Sequence, residues 1–308
     1  MGDFELSAAE FRALYERLRG HAQWGSDDRR GALNHITAPR LLAAAREVQL
    51  GRSVTLAAPL ARSAPDNPEP AARTMKHLPG EPSNVAGLSF AADQLAMNVH
   101  GDVDSHIDAL CHVCYQGALY NGLAPAAVTS QGASALSIDD ARDGIVGRGV
   151  LLDIPGVRGV PWLEPGDCVT AADLAAAQKA QQVDVGPGDL LFVRVGHRLR
   201  REERGPWDAA RSRAGLHPPA MEYLAERHVA ALGSDGNSDT APSVVDGVDF
   251  PVHVLAINAM GLHLLDYLQF DDLLAVCQAA ARWSFLCVIA PLRLPGATGS
   301  PINPIAIL

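Results

Sequence analysis

The chain lacks what would carry it into a membrane or onto a nucleic acid. No apolar run approaches the ~20 residues that a bilayer-crossing helix needs. Lysine is nearly absent (Lys76 and Lys179), and arginine never gathers into a run. With a formal net charge of −10 and a pI near 5.5, the composition offers no basic surface, so a nucleic-acid partner is not expected. The opening residues, MGDFELSAAEFRALYERL, show no basic-then-apolar leader, and Leu6 stands where a myristoylation signal needs Ser or Thr. The five cysteines (Cys111, Cys114, Cys168, Cys277, Cys287) are odd in number and scattered, as reduced thiols would be. These absences point to a cytoplasmic protein. Three catalytic signatures are also missing: there is no G-x-S-x-G elbow, no P-loop and no Rossmann fingerprint. Gly144 to Gly149, GIVGRG, precedes a strand instead of following one and reads as a turn.

What is present is material for a large core. The chain has 308 residues, 48% of them hydrophobic, with no linker, repeat or charge run that would divide it. Ser7-Ala-Ala-Glu10 is a capping box that opens a helix to about Arg19. Trp24 to Thr37, WGSDDRRGALNHIT, is a polar loop, and Pro39 starts a second helix that ends near Gly51. Strands are expected at 53–60, 94–100, 149–154, 188–195, 230–233, 262–268 and 284–289. Helices are expected at 137–142, 171–182 (capped by Thr170), 218–228 and 270–282. Residues 62–92, rich in Pro, Gly, Ser and Asn, read as a surface excursion and a candidate active-site cover. Short buried strands alternating with helices give an α/β fold.

The most informative stretch is His100 to Gly122, HGDVDSHIDALCHVCYQGALYNG. It holds three of the eleven histidines and three aspartates. Residues two apart share a strand face, and residues four apart share a helix face. His106-x-Asp108 at a strand end, followed by His112 one helical turn later, would converge two imidazoles and a carboxylate. That donor set suits Zn²⁺, Mn²⁺ or Fe²⁺. As plain local structure, Asp108 is a helix N-cap and His112 a packed histidine. On a strand, however, Asp102, Asp104, His106 and Asp108 would share one face, and four such groups are costly to bury without a cation. Cys111 and Cys114 read as small core residues. Two further clusters matter. Residues 233–243, GSDGNSDTAPS, follow a short apolar strand, where α/β folds place ligand loops. Within 251–268, His253 and Asp266 are the polar residues to watch, with His263 a lesser candidate, because an aspartate in so apolar a run needs a partner or a metal. His197, at the end of the 190–195 strand, is placed to reach the same face.

Together these residues resemble the cyclase family, which includes bacterial kynurenine formamidase and isatin hydrolase. Five segments carry the resemblance: 24–37, SHIDALCHVCYQGALYNG at 105–122, GDLLFVRVG at 188–196, FPVH and LLDYL within 250–268, and APLRLPGATGSPINPIAIL at 290–308. It implies a single compact α/β domain over 1–308 with a swivelling β/β/α core and a mixed sheet flanked by helices. Residues 1–50 would be a helical arm packed on that domain or on a neighbouring subunit, in a homodimer or homotetramer.

The resemblance implies metal-dependent hydrolysis of a cyclic or aromatic amide, lactam or lactone, with Mn²⁺ or Zn²⁺ as cofactor. His106 and Asp108 would be metal ligands. Asp266 stands where the family has a glutamate ligand, and Asp102 where it has the motif's first histidine. His100 is offset from that position by two residues and needs a local bulge to replace it. One metal held by Asp102, His106, Asp108 and Asp266 is therefore expected. His112 or His253 would be the base, and Trp24, Asp235 and His197 would bind a small-molecule substrate. Two alternatives remain open: a metal-dependent cyclase or dehydratase of a biosynthetic intermediate, and a non-catalytic ligand-binding homologue with a degraded metal site.

Overall fold

The structure is a computed structural model that describes residues 4–20, 24–60, 70–80 and 87–308. Its centre is a nine-stranded mixed sheet. In chain order the strands are β1 (Ser53–Thr55), β2 (His106–Asp108), β3 (Ile145–Asp153), β4 (Leu190–Arg194), β5 (Ala231–Ser234), β6 (His263–Asp266), β7 (Ser284–Ile289), β8 (Gly299–Pro301) and β9 (Ile305–Ile307). Their spatial order is β1-β9-β7-β3-β4-β5-β6-β2-β8. The middle four, β3 to β6, run parallel, and the outer strands pair antiparallel.

The parallel strands are apolar on both faces, as strands covered on both sides must be. All of Leu190–Arg194 and Ala231–Ser234 is buried. Helices Ala171–Gln181, Ala220–Glu226 and Asp271–Ala280 supply the cover. Both expected capping boxes form, at Ser7 with Glu10 and at Thr170 with Asp173. Helix Ala8–Arg19 buries Phe11, Leu14, Tyr15 and Leu18, and its Tyr15 hydroxyl donates to Asn258 Oδ1 at 2.8 Å. This helix thus packs on the body of its own chain. Among the described residues no helix is long and apolar enough to cross a membrane.

Several local expectations need correction. Gly147 and Gly149 lie inside β3, not in a turn. A Cβ on Gly149 would sit 2.2 Å from the Phe285 ring of β7, so this glycine makes room for an aromatic. The strand expected at 94–100 ends at Ala96, and residues 99–104 are turn and bend. The helix expected after Asp108 is a single turn, closed by His112 N–H donating to Ala109 O at 3.0 Å. Of the 62–92 excursion, 62–69 and 81–86 lie outside the described residues. The remainder forms an exposed hairpin of Ala72–His77 with Ala92–Ala96.

Candidate metal centre and active site

Register assembles the site. In β2, His106 and Asp108 point to one face while Ile107, between them, is fully buried in the core. Antiparallel pairing sets Asp266 of β6 directly opposite His106, and paired residues present their side chains to the same face. On the other side, β8 sets Gly299 opposite Asp108. A Cβ there would meet Ile107 O at 2.5 Å and the His100 ring at 2.7 Å, so Gly299 leaves the space that His100 occupies.

His100 is the ring that reaches the aspartate. Its Nδ1 lies 2.8 Å from Asp108 Oδ1, its Nε2 lies 2.8 Å from Thr298 Oγ1, and its ring stacks on His112 with centroids 3.8 Å apart. The turn over 99–104 does what a strand could not, and swings His100 inward. Its partner in sequence reasoning, Asp102, borders the pocket and accepts from the Tyr267 hydroxyl at 3.2 Å. The four-residue acidic face expected over 102–108 is therefore not built. The ligand atoms of His100, Asp108 and His112 lie within 4.8 Å of one another.

A second grouping shares the same carboxylate. His253 Nε2 lies 3.4 Å from Asp108 Oδ2 and 3.6 Å from Asp266 Oδ2. Both of these oxygens are buried and have no hydrogen-bond partner. Orphaned anionic oxygens in a protein interior are costly, and a cation removes that cost. The neighbouring side chains already have ligand form. His106 Nδ1 donates to the Asp104 carbonyl at 2.9 Å, and His253 Nδ1 donates to Asp239 Oδ2 at 2.5 Å. Each thereby turns its Nε2 toward the carboxylates, the arrangement that orients metal-binding imidazoles.

The electrostatics follow from charge count and burial. Burial opposes ionisation of Asp108, but the neighbouring imidazoles of His100 and His253 outweigh it and hold its carboxyl well below the usual range. Burial also disfavours a charged His253, yet Asp108, Asp239 and Asp266 raise it well above an ordinary histidine. Burial pushes the Asp266 carboxyl up. His112 is different: burial lowers it to about 4, so it is neutral at pH 7. Above these groups lies a cavity of about 450 Å³, lined also by Val113, Cys114, Asn237, Phe250 and Val254.

The segment after β5 frames the floor. Ser238 N–H and Oγ–H donate to Asp266 Oδ1 at 3.1 and 2.6 Å, while Asp239 holds His253. Sequence reasoning missed both, although the polar loop it flagged contains them. The other expected substrate-binding residues lie elsewhere. Asp235 accepts from Val195 N–H and Gly196 N–H at 2.7 and 2.9 Å, tying the loop to β4. His197 packs its ring between Trp207 and Tyr267, and Trp24 packs against His35. None of the three borders the cavity, nor does any described residue of the 62–92 excursion. His263 is buried at the start of β6, lowered to about 4 by burial, with its Nδ1 lacking a partner.

Residues 37–239 match the Cyclase family model. The chain belongs to the cyclase family. A crystal structure described as a novel cyclase is 32% identical, with a TM-score of 0.84 over 96% of this chain and 99% of that one. An isatin hydrolase bound to the product analogue thioisatinate matches at 19% identity, with a TM-score of 0.57, over 89% of this chain and 99% of that one. Isatin hydrolase A from Ralstonia solanacearum matches at 22% identity, with a TM-score of 0.59, over 88% and 97%. At those identities the likeness to the hydrolases is one of fold. No curated protein sequence matches the chain.

Proposed function

We propose that this cyclase-family protein is a metal-dependent hydrolase of a cyclic or aromatic amide, lactam or lactone. The observation that carries the reading is the pair of orphaned, buried carboxylate oxygens, Asp108 Oδ2 and Asp266 Oδ2, facing His253 Nε2 beneath a cavity of substrate size. His106, Asp108, His253 and Asp266 would hold a divalent cation, with His100 beside them. The mixed N/O set suits Mn²⁺ or Zn²⁺. Bound there, the cation supplies an acidified water and polarises a carbonyl oxygen.

The chain's own groups divide the remaining work. Asp239 and the Asp104 carbonyl fix the tautomers of His253 and His106. His253, with both nitrogens engaged, serves better as a ligand than as a base. His112, neutral at pH 7 and on the cavity wall, takes the water proton on a ring nitrogen and returns it to the leaving nitrogen or oxygen. Phe250 and Val254 give the wall an apolar side for a ring. The isatin hydrolases that share this fold act on a cyclic aromatic lactam by name, which makes isatin a sensible first probe.

The test begins with elemental analysis of protein purified without chelator, followed by isatin, N-formylkynurenine, phthalimide and dihydrocoumarin as substrates. His106→Ala is expected to lose bound metal and hydrolysis together. Full hydrolysis by a metal-free His106→Ala would sink the reading. Incorporation of labelled water oxygen into the product separates hydrolysis from cyclisation or dehydration.

A further inference from the structure

We infer that Asn237 donates, through Nδ2, the hydrogen bond that receives the carbonyl oxygen of the scissile bond as it becomes an oxyanion; this rests on the hydrolase reading above. The argument starts with how the side chain is held. Asn237 is only 6% exposed and borders the cavity. Its Oδ1 accepts from the Asp239 backbone N–H at 2.9 Å. A backbone amide can only donate, so this contact fixes which end of the carboxamide is oxygen. The Nδ2 end then points away from the backbone. Among the described residues it has no acceptor, yet it is not among the sealed, partnerless atoms. A buried amide whose acceptor end is anchored and whose donor end opens on a cavity is preorganised for an incoming oxygen.

The other lining side chains are apolar, anionic or committed elsewhere: His100 spends both ring nitrogens on Asp108 and Thr298, His112 is the proton carrier, and Cys114 is at most a weak thiol donor. Asp102 and Asp108 are acceptors and repel an oxyanion. His106 and His253 spend their Nδ1 hydrogens on Asp104 O and Asp239. Val113, Phe250 and Val254 are apolar. Asn237 is the one neutral amide donor on the described lining. Its anchor also explains its place in the chain. Asp239 grips His253 and Ser238 grips Asp266, so Asn237 keeps its position relative to the floor through the very next residues.

The step balances as follows. The water oxygen adds to the carbonyl carbon, and the carbonyl π pair moves onto the oxygen facing Asn237 Nδ2, while the water proton passes to His112. The pair then returns, the C–N or C–O bond breaks, and His112 gives its proton to the leaving atom. One water is consumed, and an acid plus an amine or alcohol is released.

Asn237→Asp keeps an acceptor for the Asp239 N–H and replaces the donor by a second acceptor; Asn237→Ala removes both. With the same four substrates, kcat of both variants is expected to fall on the order of 10²–10³, with KM changed by less than about threefold. Mn²⁺ affinity by calorimetry is expected to match wild type, while Asn237→Ala, which leaves the Asp239 N–H without its acceptor, is expected to melt a few degrees lower. An active wild type with both variants keeping kcat overturns the inference and leaves the hydrolase reading standing. Parallel loss of Mn²⁺ binding in both variants also overturns it, since Asn237 would then act through the metal frame. A wild type that binds Mn²⁺ but hydrolyses none of the four removes the hydrolase reading and the inference with it.

Discussion

Two buried charge clusters sit in this one sheet, and they are built to opposite rules. In the first, Arg194 of β4 reaches Asp153 of β3 at 2.8 Å and Asp271 at 3.8 Å. Its only deficit is one guanidinium N–H, Nε, without an acceptor. In the second, three carboxylates surround the single imidazole of His253, and the deficit is two anionic oxygens. The first cluster meets its one buried carboxylate, Asp153, with a permanent guanidinium, and its second, Asp271, reaches solvent. The second is closed only by something positive from outside the chain. The same folding rules produced both, so the imbalance marks function where mere burial of charge does not.

The sharpest break of that contrast is Arg194→Met. It strands Asp153 in the interior and is expected to cost about 3–5 kcal/mol in urea denaturation, with or without Mn²⁺. Asp266→Asn should do the reverse in the metal-free protein. Its oxygen can keep the two Ser238 donors while one of the two orphaned anionic oxygens is removed, for a gain of about 1 kcal/mol. The same variant should lose the rise in melting temperature that Mn²⁺ gives wild type. If metal-free Asp266→Asn were destabilised as much as Arg194→Met, the two clusters would not differ in kind.

The smallest effect concerns histidines. His253 is raised by carboxylates, whereas His35 is lowered to about 4, first by burial and then by His228 and Arg40. Unfolded, His35 takes up a proton near 6.5; folded, it resists until about pH 4. Its contribution is therefore intact above pH 6.5 and lost as pH falls toward 4. His35→Gln should accordingly lose less melting temperature than wild type between pH 7 and pH 5. A larger loss would mean that the His35–His228 contact is not the source.

The parts of the site that are local in sequence were legible, and the parts held by long-range contact were not. His106-x-Asp108 carries its own geometry, because a two-residue spacing places both on one strand face. Ser7 and Thr170 announce their helices because a capping box spans only four residues. Asp239 gives no such sign. Its contact with His253 crosses 14 residues, and that of Ser238 with Asp266 crosses 28, so nothing in either sequence neighbourhood distinguishes them from Asp235, which caps β4 instead. His100 was undervalued because a strand was assumed where the chain turns. Helix His197–Arg204, HRLRREER, was missed because its charge hides any apolar period. Strands β8 and β9 are three residues each, too short to show alternation.

The floor of the cavity and its walls come from different kinds of structure. His106, Asp108 and Asp266 are locked by strand register, where a slip of one residue would turn them to the opposite face. Val113, Cys114 and Phe250 come from irregular loop segments that carry no register. Substitution at the walls can therefore reshape the space above the floor while strand register holds His106, Asp108 and Asp266. A designer seeking a new substrate should vary 113, 114 and 250 by substitution and leave the sheet alone; the strand-held carboxylates and His106 would stay in place while the size and polarity of what they meet are changed.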